Sequence, residues 1–233
     1  MLAAVPITDT TGSPRWEPVR VVAHLAEPVI GLDACPPHLD GPLSWSAYQQ
    51  HVAEHGHYAL PPMGRDSVAD FALPLATWTA PAPGGVHPLA LASPGLVWGW
   101  ACSAAVFDGQ HTVVEVRRKP DGEAMTRFSP DRKVHLSAGP QKARNAVHAG
   151  VLAREVSWWA LADVEALTAL LGRVRGLGRL TRHGNGRVLR WEVVRDEEAV
   201  TRWRDRVWPD PDGVPKAIRA PYHHPSREMP CRG

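Results

Sequence analysis

Proline and glycine punctuate this chain from end to end, 23 and 20 of them among 233 residues. Proline locks φ and removes an amide donor, and its share is near twice the ~5% average, so a long helical bundle or coiled coil is excluded. What remains is a fold of short elements joined by many turns. With 44% apolar and 21% charged residues, the chain can bury one good core, or a main lobe plus a smaller second one. It is neither a disulfide mini-protein nor a disordered tail. Cys35, Cys102 and Cys231 lie far apart with no C-x-x-C pair, so neither a disulfide framework nor a cysteine zinc site follows.

Residues 71–107 contain no Asp, Glu, Lys or Arg before Asp108. Pro88, Pro94, Gly95 and Gly99 interrupt that stretch before it reaches the ~20 apolar residues a membrane helix needs. The start of the chain has no basic or long apolar leader. Both features point to buried strands in a cytoplasmic protein.

The apolar pattern predicts a first strand over Val19–Ala26 and a helix over roughly 41–55, capped by Asp40, with Leu43, Ala47 and Val52 on one side and Gly56 at its end. Phe71–Thr79 and Leu96–Phe107 read as buried strands, and Thr112–Arg118 as an alternating one. Lys119–Gly150 is a polar, basic excursion. Val151–Leu161 is the next strand, and Asp163 then caps a short helix that Gly172 stops. Val188–Val194 is the last strand, followed by an amphipathic stretch (Val200, Trp203, Val207) and a proline-rich end. The order β-α-β…β-α-β is that of an α+β, ferredoxin-like antiparallel sheet with helices on one face. The expected division is a main domain over 1–195 with an inserted hairpin, or thumb, at about 117–150, and a C-terminal extension over 196–233.

A net charge of +2 hides an asymmetry: residues 1–114 carry three basic and nine acidic side chains, residues 115–233 carry 23 and 15. The second half therefore suits a polyanion, while the acidic first half suits other protein subunits. Its densest segment is GRVRGLGRLTRHGNGRVLRW, residues 172–191, with six arginines, five glycines and no acid. Glycines let a backbone approach a phosphate, and arginines supply forked donors. Neither a Gly-Lys-Ser/Thr nor a dinucleotide fingerprint is present. We read the segment as a sugar-phosphate contact. The excursion is a second basic feature: Arg117, Arg118, Lys119, Arg127, Arg132, Lys133, Lys142 and Arg144 face only Asp121, Glu123 and Asp131. It reads as the second wall of one groove.

Other residues offer different chemistry. His51, Glu54 and His55 form an H-x-x-E-H pattern, which on a helix puts two imidazoles on one face as a zinc hydrolase needs. An exposed helix end accounts for the same residues. His24 and His38 are isolated histidines of the kind that can deprotonate a ribose hydroxyl in metal-free RNA cleavage. Trp158, Trp159, Trp191, Trp203 and Trp208 are candidates for stacking on bases, with core packing the simpler use for most. Of the adjacent pair Trp158 and Trp159, one should face the core and the other outward.

Two blocks carry a family resemblance. VRVVAHLAEPVIGLDACPPHLDGPLSWSAY (19–48) is a strand followed by Pro-Pro-His-Leu-Asp-Gly and a helix, and Lys142–Val194 runs from KARN through VLAREVSWWAL to GNGRVLRWEVV. Together they cover a little over a third of the chain and resemble the RAMP superfamily of CRISPR proteins, more narrowly the Cas-five-class subunit of type IV effector complexes. The resemblance implies an RRM-like domain that binds crRNA without catalysis, caps the 5′ handle, and uses a thumb against Cas-seven-like backbone subunits. Further implied partners are the large subunit and, through the complex, target nucleic acid, with no cofactor and no membrane. The implied RNA contacts are Lys142, Arg144, Gly178, Arg179, Arg182, His183, Gly184, Asn185, Gly186 and Arg187, Asn185 standing where many RAMP loops carry an aromatic. A Cas-six-like endoribonuclease using His24 or His38 is the alternative the same superfamily implies.

Overall fold

The structure is a computed structural model and describes residues 8–32, 36–56, 69–118, 121, 127 and 144–233. Strand β1 (Glu17–Leu25) alternates as a half-buried strand must. Val19, Val21, Ala23 and Leu25 enter the main core, where they meet Leu43 of helix α1 (Asp40–His55) and Leu167 and Leu171 of helix α2 (Val164–Leu171). Arg20, Val22 and His24 take the opposite face.

The main sheet runs β8–β1–β7–β6, every neighbour antiparallel, with β6 at Val106–Arg118, β7 at Arg144–Ala162 and β8 at Val188–Arg195. Both helices pack on one face. In order along the chain this is the ferredoxin arrangement, 4-1-3-2, and the α+β expectation holds. The two-residue strand β2 (Val29–Ile30) continues the line of β1 and pairs with Val151 and Gly150 of β7.

Several boundaries differ from the sequence reading. The strand expected over Phe71–Thr79 forms only at β3 (Thr77–Pro81). The run 96–107 splits into β5 (Leu96–Trp100) and the start of β6. Between them the small residues Ala101–Ala105 cross from one sheet to the other, bonding in turn to Ala76, Trp159 and Pro37. Strand β7 begins at Arg144 rather than Val151, because its outer half pairs with β6 as a polar two-stranded arm beyond the core. Of the thumb beyond Arg118, all but Asp121, Arg127 and the residues from Arg144 onward lies outside the described residues.

A second, smaller core lies on the other side. Strands β3, β5 and β4 (Leu91–Ser93) form a three-stranded sheet in the order β3–β5–β4. Trp78, Val97 and Leu161 pack there with Trp203, Ile218, Met229 and Cys231. These last come from the short helix α3 (Ala199–Arg202) and the hairpin β9 (Trp208–Ala217) and β10 (Glu228–Arg232), or lie close to them. The proline-rich end is thus a hairpin. A two-stranded sheet consists only of edges, which is where proline is tolerated. The tryptophan pair also departs from the sequence reading: Trp158 and Trp159 face opposite sides of β7, yet both are buried, Trp159 donating its indole N–H to Asp196. Arg202 lies over the Trp159 ring at 3.3 Å.

Among the described residues no helix is long and apolar enough to cross a membrane.

Candidate nucleic-acid interface

Asp163 caps α2 by accepting the amide of Ala166 at 3.1 Å, a contact worth about 1 kcal/mol, and Leu167, Leu170 and Leu171 bury the helix's apolar face. After Gly172 the chain has to return to β8, and the arginine loop is that return. Two apolar anchors hold it down, Val174 and Leu177, each 3% exposed. Its backbone is stitched to the sheet: Val188 donates to the Arg175 carbonyl at 3.0 Å and Leu177 to Gly186 at 2.9 Å. Gly186 donates to Pro28 at 2.8 Å and Arg179 to Ile30 at 3.1 Å.

The glycines divide by role. Gly178 has φ +76°, and a Cβ there would stand 2.6 Å from the Ile30 carbonyl oxygen. Gly186 has φ +64°, and a Cβ would overlap the Leu177 carbonyl. Both seat the loop on β2 and on itself. Gly184, at φ +90°, closes the turn Thr181–His183 and borders open space. With the apolar residues and amides turned inward, Arg173, Arg175, Arg179, Arg182 and Arg187 are left exposed. None of the five has a carboxylate partner among the described residues, whereas Arg190, on β8, is paired with Glu192 at 2.9 Å.

Two grooves flank the loop. One, of about 630 Å³, is lined by Arg175, Thr181, Gly184, Arg187, Leu189 and Trp191. The other, of about 550 Å³, lies between the loop (Arg175, Gly176, Gly178, Arg182) and the first turns of α1 (Gly41, Pro42, Trp45). His183 is exposed and Asn185 half-buried beside them. Gly178, Arg179, Arg182, His183, Gly184, Asn185, Gly186 and Arg187 are therefore gathered in one place. Arg144 is not: it pairs with Arg118 at the far end of the arm, six residues and about 20 Å of strand from Gly150. Lys142 lies outside the described residues.

The histidines are engaged elsewhere. His24 stands between Glu155 at 3.2 Å and Glu192 at 3.0 Å on the sheet face opposite the helices. Its hydrogen bond, with that of Arg190, holds Glu192 below the usual carboxylate range. His38 is 4% exposed. Its Nδ1 lies 2.8 Å from the Tyr222 hydroxyl, and its Nε2 accepts the Val207 amide at 3.5 Å. Since Tyr222 donates to Asp40, the neutral Nδ1–H tautomer satisfies the whole chain of contacts. Burial first, then the charges of Arg206 and Lys216, hold the His38 pKa well below its ordinary value. Asp40 does not cap α1, as the sequence suggested. Its carboxylate serves Tyr222 and the Ala220 amide instead, and the helix has no side-chain cap. His51 and His55 stack with ring centroids 4.6 Å apart, and Glu54 accepts from Gln50. Among the described residues no third ligating side chain joins them.

The tryptophans singled out for stacking are buried or half-buried. Trp158, Trp159 and Trp203 are buried. Trp191 donates to the Val174 carbonyl and Trp208 to that of Arg204. The sequence reading missed Trp45, which is 52% exposed on the groove wall.

No curated protein matches the chain. Among solved structures it is similar to a chain in the cryo-EM structure of the Type III-B Cmr-beta bound to cognate target RNA. That similarity has 9% identity and a TM-score of 0.33, over 77% of this chain and 61% of the length of the other. Residues 105–230 match the family described as CRISPR type IV associated protein Csf3. That span is more than half of the chain, and it includes the arm, the arginine loop and most of the C-terminal hairpin. The chain therefore belongs to the CRISPR type IV associated Csf3 family.

Proposed function

We propose that this chain is a non-catalytic crRNA-binding subunit of a type IV CRISPR ribonucleoprotein. In this reading it is a Cas-five-class RAMP protein that caps the 5′-handle end of the guide and docks on Cas-seven-like backbone subunits. The observation that carries the reading is the arginine loop: five exposed guanidiniums without carboxylate partners among the described residues, on a backbone stitched to the sheet. A rigid array of forked cations suits a sugar-phosphate chain better than a small anion. In the same reading Arg144, at the far end of the arm, meets the guide farther along its length than the loop does. Contacts of this kind position a guide without reading its bases.

The test is binding of the full chain to single-stranded guide RNA across a range of salt. Every phosphate that the protein no longer neutralises lowers the log–log salt slope by about 0.7. Replacing Arg179, Arg182 and Arg187 together by Ala therefore lowers it by about 2 and weakens binding. An unchanged affinity and slope in that triple variant rules the loop out as the phosphate contact.

A further inference from the structure

Of the ten tryptophans, Trp45 is the exposed one. It lies in the second turn of α1, two residues from the fully buried Leu43. At 100° per residue that puts it on the opposite side of the helix from the apolar stripe. Its indole has no ring, ion or hydrogen-bond partner among the described residues. Leaving a side chain of this size half in water forgoes apolar burial that most of the other tryptophans obtain in or against the two cores. The local geometry gives the ring a different setting. It forms one wall of the 550 Å³ groove, with Pro42 beside it, while Arg175 and Arg182 stand on the loop side and Gly176 and Gly178 contribute backbone. No carboxylate lines this groove among the described residues.

From this arrangement we propose that Trp45 is a stacking platform for one unpaired base of a single-stranded RNA whose phosphates lie on Arg175 and Arg182. An aromatic face with adjacent guanidiniums is how single strands are held, each stacked base contributing ~1–3 kcal/mol regardless of its identity. The groove's volume falls within the ~300–1,000 Å³ of ordinary ligand pockets. Its only charged lining side chains among the described residues, Arg175 and Arg182, are both cationic, which suits a ligand that carries phosphates as well as an apolar ring face. The site accepts any base and so fixes where the strand leaves the arginine loop rather than which sequence it carries. The inference rests on the reading of the loop as an RNA contact.

The experiment uses the full chain and an oligouridylate of about ten nucleotides carrying a photoreactive uridine. Trp45→Ala should weaken binding roughly tenfold to a hundredfold with the salt slope unchanged, since no phosphate contact is removed. Trp45→Phe should keep most of the affinity, and irradiation of the wild-type complex should cross-link Trp45. If the arginine triple variant loses RNA while Trp45→Ala binds as tightly as wild type and no cross-link maps to Trp45, the stacking site is overturned and the loop assignment stands. If the wild-type chain shows no salt-dependent RNA binding, both fall together. Trp45→Ala that binds RNA normally but no longer joins a backbone subunit also overturns the proposal, by assigning the indole to a protein contact.

Discussion

Tyr222 donates its hydroxyl to Asp40 at 2.5 Å across 182 residues of sequence. Asp40 also accepts the Ala220 amide at 3.0 Å, and His38 reaches the same hydroxyl from the other side. One fully buried carboxylate thus fastens the C-terminal hairpin segment to the start of α1. Close by, Arg206 spans Cys102 and Trp100 on one side and Ile218 on the other through their carbonyls. Tyr222→Phe leaves both Asp40 and His38 short of a partner, and we expect a loss of about 1–3 kcal/mol. Urea unfolding of the variant against wild type measures it, and an unchanged midpoint would contradict the network.

The same cluster sets a pH dependence. An unfolded chain protonates His38 near 6.5, whereas the folded state resists until much lower pH. The unfolded state therefore binds more protons in that window, so His38 makes stability fall as pH drops below 6.5. The slope is about 1.4 kcal/mol per pH unit. His38→Gln should lose this component, making its unfolding free energy less sensitive than wild type between about pH 7 and about pH 5.5. Parallel pH profiles for the two proteins are the contrary result.

Gly184 and Gly186 are near neighbours in the loop and should behave differently. Gly186→Ala puts a methyl into the Leu177 carbonyl at positive φ, so the loop must leave its seat. We expect lower thermal stability and loss of RNA binding together. Gly184→Ala meets open space and incurs only the left-handed backbone cost of ~1–2 kcal/mol, with RNA affinity nearly retained. Equal effects of the two changes on RNA affinity would show that seating is not what Gly186 supplies.

Asp70 holds two buried guanidiniums, Arg219 at 3.4 Å and Arg227 at 2.8 Å, each 1% exposed. Burial pulls the Arg219 pKa down to about 10 despite the carboxylate. Asp70→Asn leaves two buried cations uncompensated. With Asp70 itself a quarter exposed, we expect a loss near ~3 kcal/mol, the low end for breaking such a pair. Denaturant titration decides it, and a change under about 1 kcal/mol would mean that the Leu89, Ala90 and Trp98 carbonyls suffice alone.

What was legible in the sequence is what local chemistry decides. The alternation of β1, the Asp163 cap, the stops at Gly56 and Gly172 and the order of elements carry their own signals, and together they specify the ferredoxin sheet. Contacts made at long range carry no such signal. Asp40 has the composition and position of a helix cap, and only Tyr222 folding back against it redirects the carboxylate. Arg219 and Arg227 sit in a polar, proline-rich run that reads as surface, and they are buried because Asp70 and a row of carbonyls surround them. Strands β9 and β10 contain four prolines and become strands only through each other. The seating role of Gly178 and Gly186 was hidden because β2, the strand they touch, is two residues long. Trp45, by contrast, was accessible to a helical wheel drawn through Leu43 and Ala47.

That short strand has a mechanical meaning. Ile30 is bridged to Gly150 of the arm on one side and to Arg179 of the loop on the other. It is the splice between the outer half of β6 and β7 and the row of guanidiniums. Val29, paired with Val151, and Pro28, which accepts the Gly186 amide, share that link, so arm and loop are joined through three consecutive residues.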